Sequence, residues 1–195
     1  MQPPKIPGMN NHTNIKSFLL KGNPVIILTG NEFAKKEGYT LTQQVAEYYN
    51  SIGNIVISPD FGKVVLDEKG VDDDFAHGVG RIKAVAFAAV PKVIEQGIVI
   101  LPFGKYKTGE NIVSAMVAAP IQIAEKEYIC VVVLRKRREI NKLYVHEVTL
   151  KEKLLDSNNQ EVKLVSLLGS SNPTLSLATN QGDIAKVLQN ILFAK

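Results

Sequence analysis

The sequence predicts an α+β fold, with helices early, an antiparallel sheet late and a further helix at the C-terminus. Three observations predict it. Apolar residues recur at helical spacing in the first half, and β-branched runs dominate from residue 98 onward. The two kinds of element do not alternate as a parallel βαβ sheet requires. With 195 residues, 45% of them hydrophobic and 22% charged, the chain suits one domain and lies outside the disordered classes.

Residues 1–14 hold three prolines among Asn, His and Thr, and residues 1–23 read as a flexible lead-in or linker. Pro24–Thr29 is a short β-branched run between Gly-Asn pairs and predicts a buried strand. Thr40–Ile52 predicts a helix, because Thr40 can cap it and Leu41, Val45, Tyr48, Tyr49 and Ile52 share one stripe before Gly53. Two extended pieces follow, Asn54–Ser58 and Lys63–Asp67, about the turn Pro59-Asp60-Phe61-Gly62. Asp72, Asp73 and Asp74 then supply the carboxylates that a helix N-terminus favours. The apolar stripe of that helix is Phe75, Val79, Ile82, Ala86 and Ala89, and Pro91 breaks it into a second short piece ending at Gly97. Strands are expected at Ile98–Leu101, Ile112–Ala119, Ile121–Ala124, Tyr128–Leu134 and Lys142–Leu150, with Arg135–Asn141 as a charged hairpin connection. A further strand is expected around Val162–Leu168. Asp183–Phe193 closes the chain as an amphipathic helix through Ile184, Val187, Leu188, Ile191 and Leu192.

Several function classes are excluded early. The longest apolar runs, such as Ala84–Val90 and Ile129–Leu134, are far shorter than the roughly 18–20 residues of a membrane-spanning helix. No apolar signal core follows Met1, so a secretory leader is not expected. The single cysteine, Cys130, lies in an apolar run and reads as a buried structural thiol. An acyl-transfer hydrolase using Ser or Cys130 lacks any nucleophile context. Three scattered histidines and one cysteine offer no metal-ligand spacing, so neither metal nor cofactor is expected.

Two histidines are informative. On a helix, Asp73, His77 and Arg81 fall at i−4, i and i+4 and line one face, which continues through Ala84 and Ala88. A carboxylate, an imidazole and a guanidinium in register suit phosphate handling, and the same pattern suits an exposed polar face. In Leu143–Val148, alternation puts Tyr144, His146 and Val148 on one side of a strand and Leu143, Val145 and Glu147 on the other. That face reads either as a site on a rigid platform or as a half-buried face with a satisfied histidine. The net charge is +4, and removing Arg135, Lys136, Arg137 and Arg138 from the 23 basic residues leaves 19 against 19 acidic. The basic excess is thus local to one hairpin, which reads as a solvated tip or as a contact to a nucleic-acid backbone.

Four stretches in order carry a family resemblance. They are Leu28-Thr29-Gly30-Asn31-Glu32-Phe33, the run from Asp74 through His77, Gly80 and Arg81 to Ala84, Tyr144-Val145-His146-Glu147-Val148, and the run from Gly182 to Ile191. Together they resemble the phage-associated barnase–EndoU–colicin–RelE-like nuclease domains found at the C-terminus of MuF-type and large polyvalent phage proteins. The resemblance implies one nuclease-like α+β domain over residues 24–195, with N-terminal helices packed on a four- to five-stranded antiparallel sheet, and a metal-independent endoribonuclease that needs no cofactor. By the matching motifs, His77, Arg81 and Lys83 on the helix and Tyr144 and His146 on the strand are the expected catalytic residues, with Thr174 and Ser176 as further hydroxyl donors. Gly104-Lys105-Tyr106-Lys107-Thr108-Gly109 stands where the family often carries a Trp-containing polar segment. Lys105 and Lys107 join Arg135, Lys136, Arg137 and Arg138 as expected substrate-binding residues.

In such a reaction the substrate's own 2′-OH attacks phosphorus, one group takes its proton and another protonates the 5′-oxygen. His77 and His146 share those two roles, and Arg81 and Lys83 offset the phosphorane charge. The implied partners are an RNA substrate such as tRNA, an immunity protein and a phage structural protein as parent chain, with no membrane. The implied location is the cytoplasm, or a target-cell cytoplasm reached with a phage particle. A non-catalytic module of the same fold, binding a phage-head or immunity partner, is the competing class.

Overall fold

In the computed structural model, residues 12–67, 71, 81–105, 113–137, 142–155, 162–166 and 181–193 are described. Among them are five helices and eight strands. In chain order they are α1 (His12–Lys21), β1 (Ile27–Leu28), α2 (Leu41–Ser51), β2 (Ile55–Ser58), β3 (Gly62–Val65), α3 (Arg81–Ala86), α4 (Val90–Gln96), β4 (Ile98–Lys105), β5 (Val113–Ile123), β6 (Lys126–Arg137), β7 (Lys142–Leu155), β8 (Val162–Ser166) and α5 (Gln181–Phe193).

The α+β class holds, but the sheet is mixed and curled rather than purely antiparallel. Its backbone is the antiparallel meander β5-β6-β7, and the strand order runs β1-β5-β6-β7-β3-β2. Each outer strand of the meander shares its free edge between two partners. β5 pairs with β4 antiparallel over its first part and with β1 parallel at Gln122 and Ile123. β7 pairs with β3 parallel at Tyr144 and with β8 antiparallel from Lys151 onward. Local patterning cannot reveal the parallel pairs, because β1 and β3 are short and their partners lie far along the chain.

The break expected at Pro120 does not occur, and the pairing explains why. Along β5 the amides of even-numbered residues point to the edge shared by β4 and β1, as Gln122 shows by donating to the Ile26 carbonyl at 3.0 Å. Pro120, which has no N–H, stands where β4 has ended and β1 begins, and its carbonyl accepts from Val25 at 2.9 Å. The charged connection expected over Arg135–Asn141 is also shorter than expected. Arg135, Lys136 and Arg137 are strand residues, in register with Tyr144, Leu143 and Lys142.

The two faces of the sheet bury different elements. One carries the larger core, where Val117, Ala119, Cys130, Val132, Leu134, Leu143, Val145, Val148 and Leu150 meet α2, α3 and α4. The other packs Met116, Ala118, Ile129, Val131 and Val133 against Leu19 of α1 and Leu188, Ile191 and Leu192 of α5. The lead-in expected over residues 1–23 therefore holds a helix, whose Ile15, Phe18 and Leu19 sit at i, i+3 and i+4 and reach the second core. Helix α2 begins as expected, with a reciprocal cap. The Gln43 amide donates to Thr40 Oγ1 at 3.2 Å and the Thr40 amide to Gln43 Oε1 at 2.8 Å.

Pro91 interrupts the helical ladder as expected, and its missing donor is replaced from another element. Successive i to i+3 bonds, from Phe87 to Ala84, Ala88 to Val85 and Ala89 to Ala86, carry the chain from α3 into α4. The Phe87 carbonyl would accept from residue 91 in an unbroken helix. Instead it accepts the Tyr49 hydroxyl at 3.2 Å, and Tyr48 reaches the Ala88 carbonyl at the same distance. Tyr49→Phe is expected to cost about 1–2 kcal/mol, read from the urea midpoint, because it strips a buried carbonyl of its best donor. Residues 84–91 are all buried, so the one-sided stripe expected here fails. Ile82 is exposed, while Ala84 and Ala88, expected on an open polar face, are enclosed. The reason is that the sheet curls around this segment, with α4 against β2, β5 and β6. At the mouth of the curl, Phe61 from the β2–β3 turn meets Phe103 of β4 edge-to-face at 4.8 Å.

Candidate functional site

The ends of β6 and β7 carry the polar side chains that the cores leave out. Pairing runs regularly from Tyr128 with Glu152 to Val133 with Glu147, then steps to Leu134 with Val145. His146 is thus the extra residue of a β-bulge in β7. The bulge changes which residues share a face. Leu143 and Val145 before it, and Val148 and Leu150 after it, all enter the same apolar core. Strict alternation had put Val148 with Tyr144 and His146, and Glu147 with Leu143 and Val145; the bulge exchanges them. Tyr144, His146, Glu147 and Thr149 stand together on the opposite face.

Their contacts agree with that placement. The Tyr144 and His146 rings meet edge-to-face, with centroids 6.5 Å apart and planes at 83°. Thr149 Oγ1 donates to Glu147 Oε1 at 3.4 Å. Tyr144, Glu147 and Thr149 are buried, and His146 is half-buried with Nδ1 inside. The register extends this face across the sheet, because Tyr144 is paired with Arg135 and Arg135 with Ser114. Ser114 is buried, Arg135 is half-buried, and Arg135 Nε lies buried with no hydrogen-bond partner among the described residues. A guanidinium held between two hydroxyl-bearing side chains, with an imidazole one step along, is a donor set that an anionic oxygen can complete. Beside it, Lys142 is held by Asp67 at 2.9 Å. Further along the same strand, burial lowers the pKa of Lys151.

The expected site residues do not all come together. Tyr144, His146 and Arg135 are brought together, and Lys136 is exposed next to them. Arg81 and Lys83 belong to α3, whose Val85 and Ala86 pack into the core on the other side of the sheet from Tyr144 and His146. Of Arg81, Lys105 and Arg137 the backbone is described, within α3, β4 and β6. His77, Thr174, Ser176, Lys107, Arg138 and the Asp72–Asp74 cap lie outside the described residues. Ser114 and Glu147 are the members of the row that sequence reasoning did not place there. Cys130 is fully buried in the larger core. Among the described residues no group of three or more His, Cys, Asp or Glu is placed to hold a metal ion, and no helix is long and apolar enough to cross a membrane.

The Leu28–Phe33 motif is structural in its local geometry. Burial pushes the Glu32 carboxyl up, but hydrogen bonds from its own amide, from Thr29 and from Gly30 outweigh this and hold it below the ordinary carboxylate range. The Thr29 hydroxyl donates at 2.9 Å and the Gly30 amide at 3.0 Å, with Gly30 at φ 91°. The loop borders a cleft of about 410 Å³ floored by Phe33, Tyr48 and Ala88. Its rim pair, Lys36 and Glu47, stands 3.5 Å apart.

A mixed sheet curled around two short helices, with a polar row on its outer face, defines an α+β domain built around one platform. The chain belongs to the large polyvalent protein-associated domain 3 family, whose sequence model matches residues 36–144. That match associates it with the large polyvalent proteins of phage. It spans α2 to β6 and ends on Tyr144, leaving α1, β1, α5 and most of β7 outside. No curated protein and no solved structure matches the chain.

Proposed function

We propose that this domain is a metal-independent endoribonuclease carried by a large polyvalent phage protein, with its site on the outer face of β6 and β7. The observation that supports this most is the row Ser114–Arg135–Tyr144 in register, with His146 set beside it by the bulge. Arg135 takes a non-bridging phosphate oxygen through its half-buried guanidinium, and the hydroxyls of Tyr144 and Ser114 orient the same group. His146 moves a proton at either the 2′-oxygen or the 5′-oxygen, a task an imidazole can perform in both directions. His77 is the second proton carrier of this reading, with Thr174 as a hydroxyl donor; Arg81 and Lys83, on a helix packed against the opposite side of the sheet, take no part in it. In the balanced step, O2′ loses its proton and bonds to phosphorus. The P–O5′ bond breaks and O5′ gains a proton, leaving a 2′,3′-cyclic phosphate and a 5′-hydroxyl. Lys136 and its neighbours Arg137 and Arg138, with Lys105 and Lys107, draw in the RNA backbone.

The test is cleavage of a defined RNA by the full chain in excess EDTA, with the new ends identified. Cyclic phosphate ends are expected, and Arg135→Ala is expected to lower the cleavage rate by about 10²-fold or more, the scale of losing one donor to a developing oxyanion. Cleavage that stops in EDTA, or that leaves 5′-phosphates, would overturn the reading. So would an Arg135→Ala protein of full activity.

A further inference from the structure

The outer face that carries the row does not stop at Tyr144. Tyr144 is in parallel register with Val65 of β3, and Val65 is in antiparallel register with Ile55 of β2. The next pair on that face is Ile57 with Lys63. The partners on the other face, Val56 and Val64, are core residues, so alternation turns Ile55, Ile57, Lys63 and Val65 outward on the side of Tyr144. Ile55 is 40% exposed and Ile57 is 61% exposed, which is unusual for two isoleucines of one short strand. Lys63 is exposed as well, and Val65 is half-buried.

We infer that this strip is a subsite for a nucleotide flanking the scissile one in single-stranded RNA. The inference rests on the ribonuclease reading above and names its substrate class. With strands about 4.8 Å apart, Ile55 stands three spacings, roughly 14 Å, from Arg135 along one continuous face. That separation places the strip outside the reacting phosphate but within reach of the same strand. Its chemistry matches a nucleotide. Ile55, Ile57 and Val65 offer an apolar surface to the face of a base, and Lys63, across from Ile57, offers a cation to the backbone phosphate. A duplex keeps its bases stacked and cannot lay one on this surface, so the preference is for unpaired RNA. Four side chains on two short strands are also far too little area for a stable protein partner, which needs about 800 Å² per side.

The experiment uses the full chain and a fluorescent, single-stranded 2′-O-methyl RNA decamer, which lacks the attacking hydroxyl and so stays intact. Ile57→Asp is expected to raise its Kd about fivefold to tenfold by anisotropy, with Lys63→Ala raising it less and reducing the salt dependence. Cleavage of a dinucleotide, which is too short to reach the strip, is expected to keep its kcat/KM in both variants. Ile57→Ser, together with circular dichroism, serves where Asp disturbs the strand. Unchanged decamer affinity in folded Ile57→Asp or Ile57→Ser would overturn the inference, as would an equal loss on the dinucleotide. Self-association abolished by Ile57→Asp with RNA affinity unchanged would instead assign the strip to a second copy. A wild-type chain that binds the decamer in an Ile57-dependent way but cleaves nothing would refute the nuclease reading while sustaining the subsite.

Discussion

His146→Ala is expected to lower the RNA cleavage rate by roughly 10²- to 10⁴-fold, the range that a positioned proton carrier supplies. The same substitution is expected to leave stability nearly unchanged. His146 belongs to neither apolar core, is half-buried, and occupies a bulge whose pairing is already interrupted. Single-turnover cleavage across pH separates the catalytic effect from a structural one. Loss of His146 should remove one limb of the pH–rate profile, whereas a distorted sheet would lower the rate evenly at all pH values. A full rate in His146→Ala would remove this residue from the mechanism. His77→Ala, assayed in parallel, tests the second role. If its rate is full, the role falls to Glu147, the titratable side chain that the bulge turns to the same face.

Phe87→Ala is expected to cost about 3–5 kcal/mol, a large share of the roughly 5–15 kcal/mol that holds a domain of this kind together. Phe87 is fully buried at the turn between α3 and α4. The helices on either side of this turn are held by the sheet, α4 against β2, β5 and β6 and α3 against β7, so few directions remain from which neighbours can collapse into the space. Replacing an aromatic ring by a methyl group there adds an unfilled cavity to the lost transfer energy. Urea unfolding reads it directly, as a lower midpoint with an unchanged slope. A loss below about 1 kcal/mol would mean that the curl closes freely over the gap and that its rigidity is overstated.

Much of the fold was legible because it is written in short-range pattern. The Thr40 cap, the Pro59–Gly62 turn, the Pro91 interruption and the β6–β7 hairpin are each decided by neighbouring residues. The parallel joins were not legible, since nothing near Ile27 or Val65 specifies Gln122 or Tyr144. The helix His12–Lys21 was obscured by the polar and proline-rich residues before it, although Ile15, Phe18 and Leu19 already carried its stripe. The candidate site was half legible. Tyr144 and His146 were placed on one face correctly, but Glu147 was placed opposite. A signal for the bulge exists in the sequence: apolar residues at 143 and 145 are followed by apolar residues at 148 and 150, a change of phase across His146-Glu147. Ser114 carries no such mark, because a single serine in an apolar strand is informative only once its cross-strand neighbour is known.

The two parallel joins also set a schedule for synthesis. Ile27 waits about 95 residues for Gln122, and Val65 about 79 residues for Tyr144. At translation rates of 5–20 residues per second, the short strands β1 and β3 leave the ribosome roughly 4 to 19 s before their parallel partners exist. Brevity protects them during that wait, since two and four residues are too few to recruit a stray strand. The β5-β6-β7 meander, made later but from adjacent hairpins, is then the template onto which the earlier half of the chain is fastened.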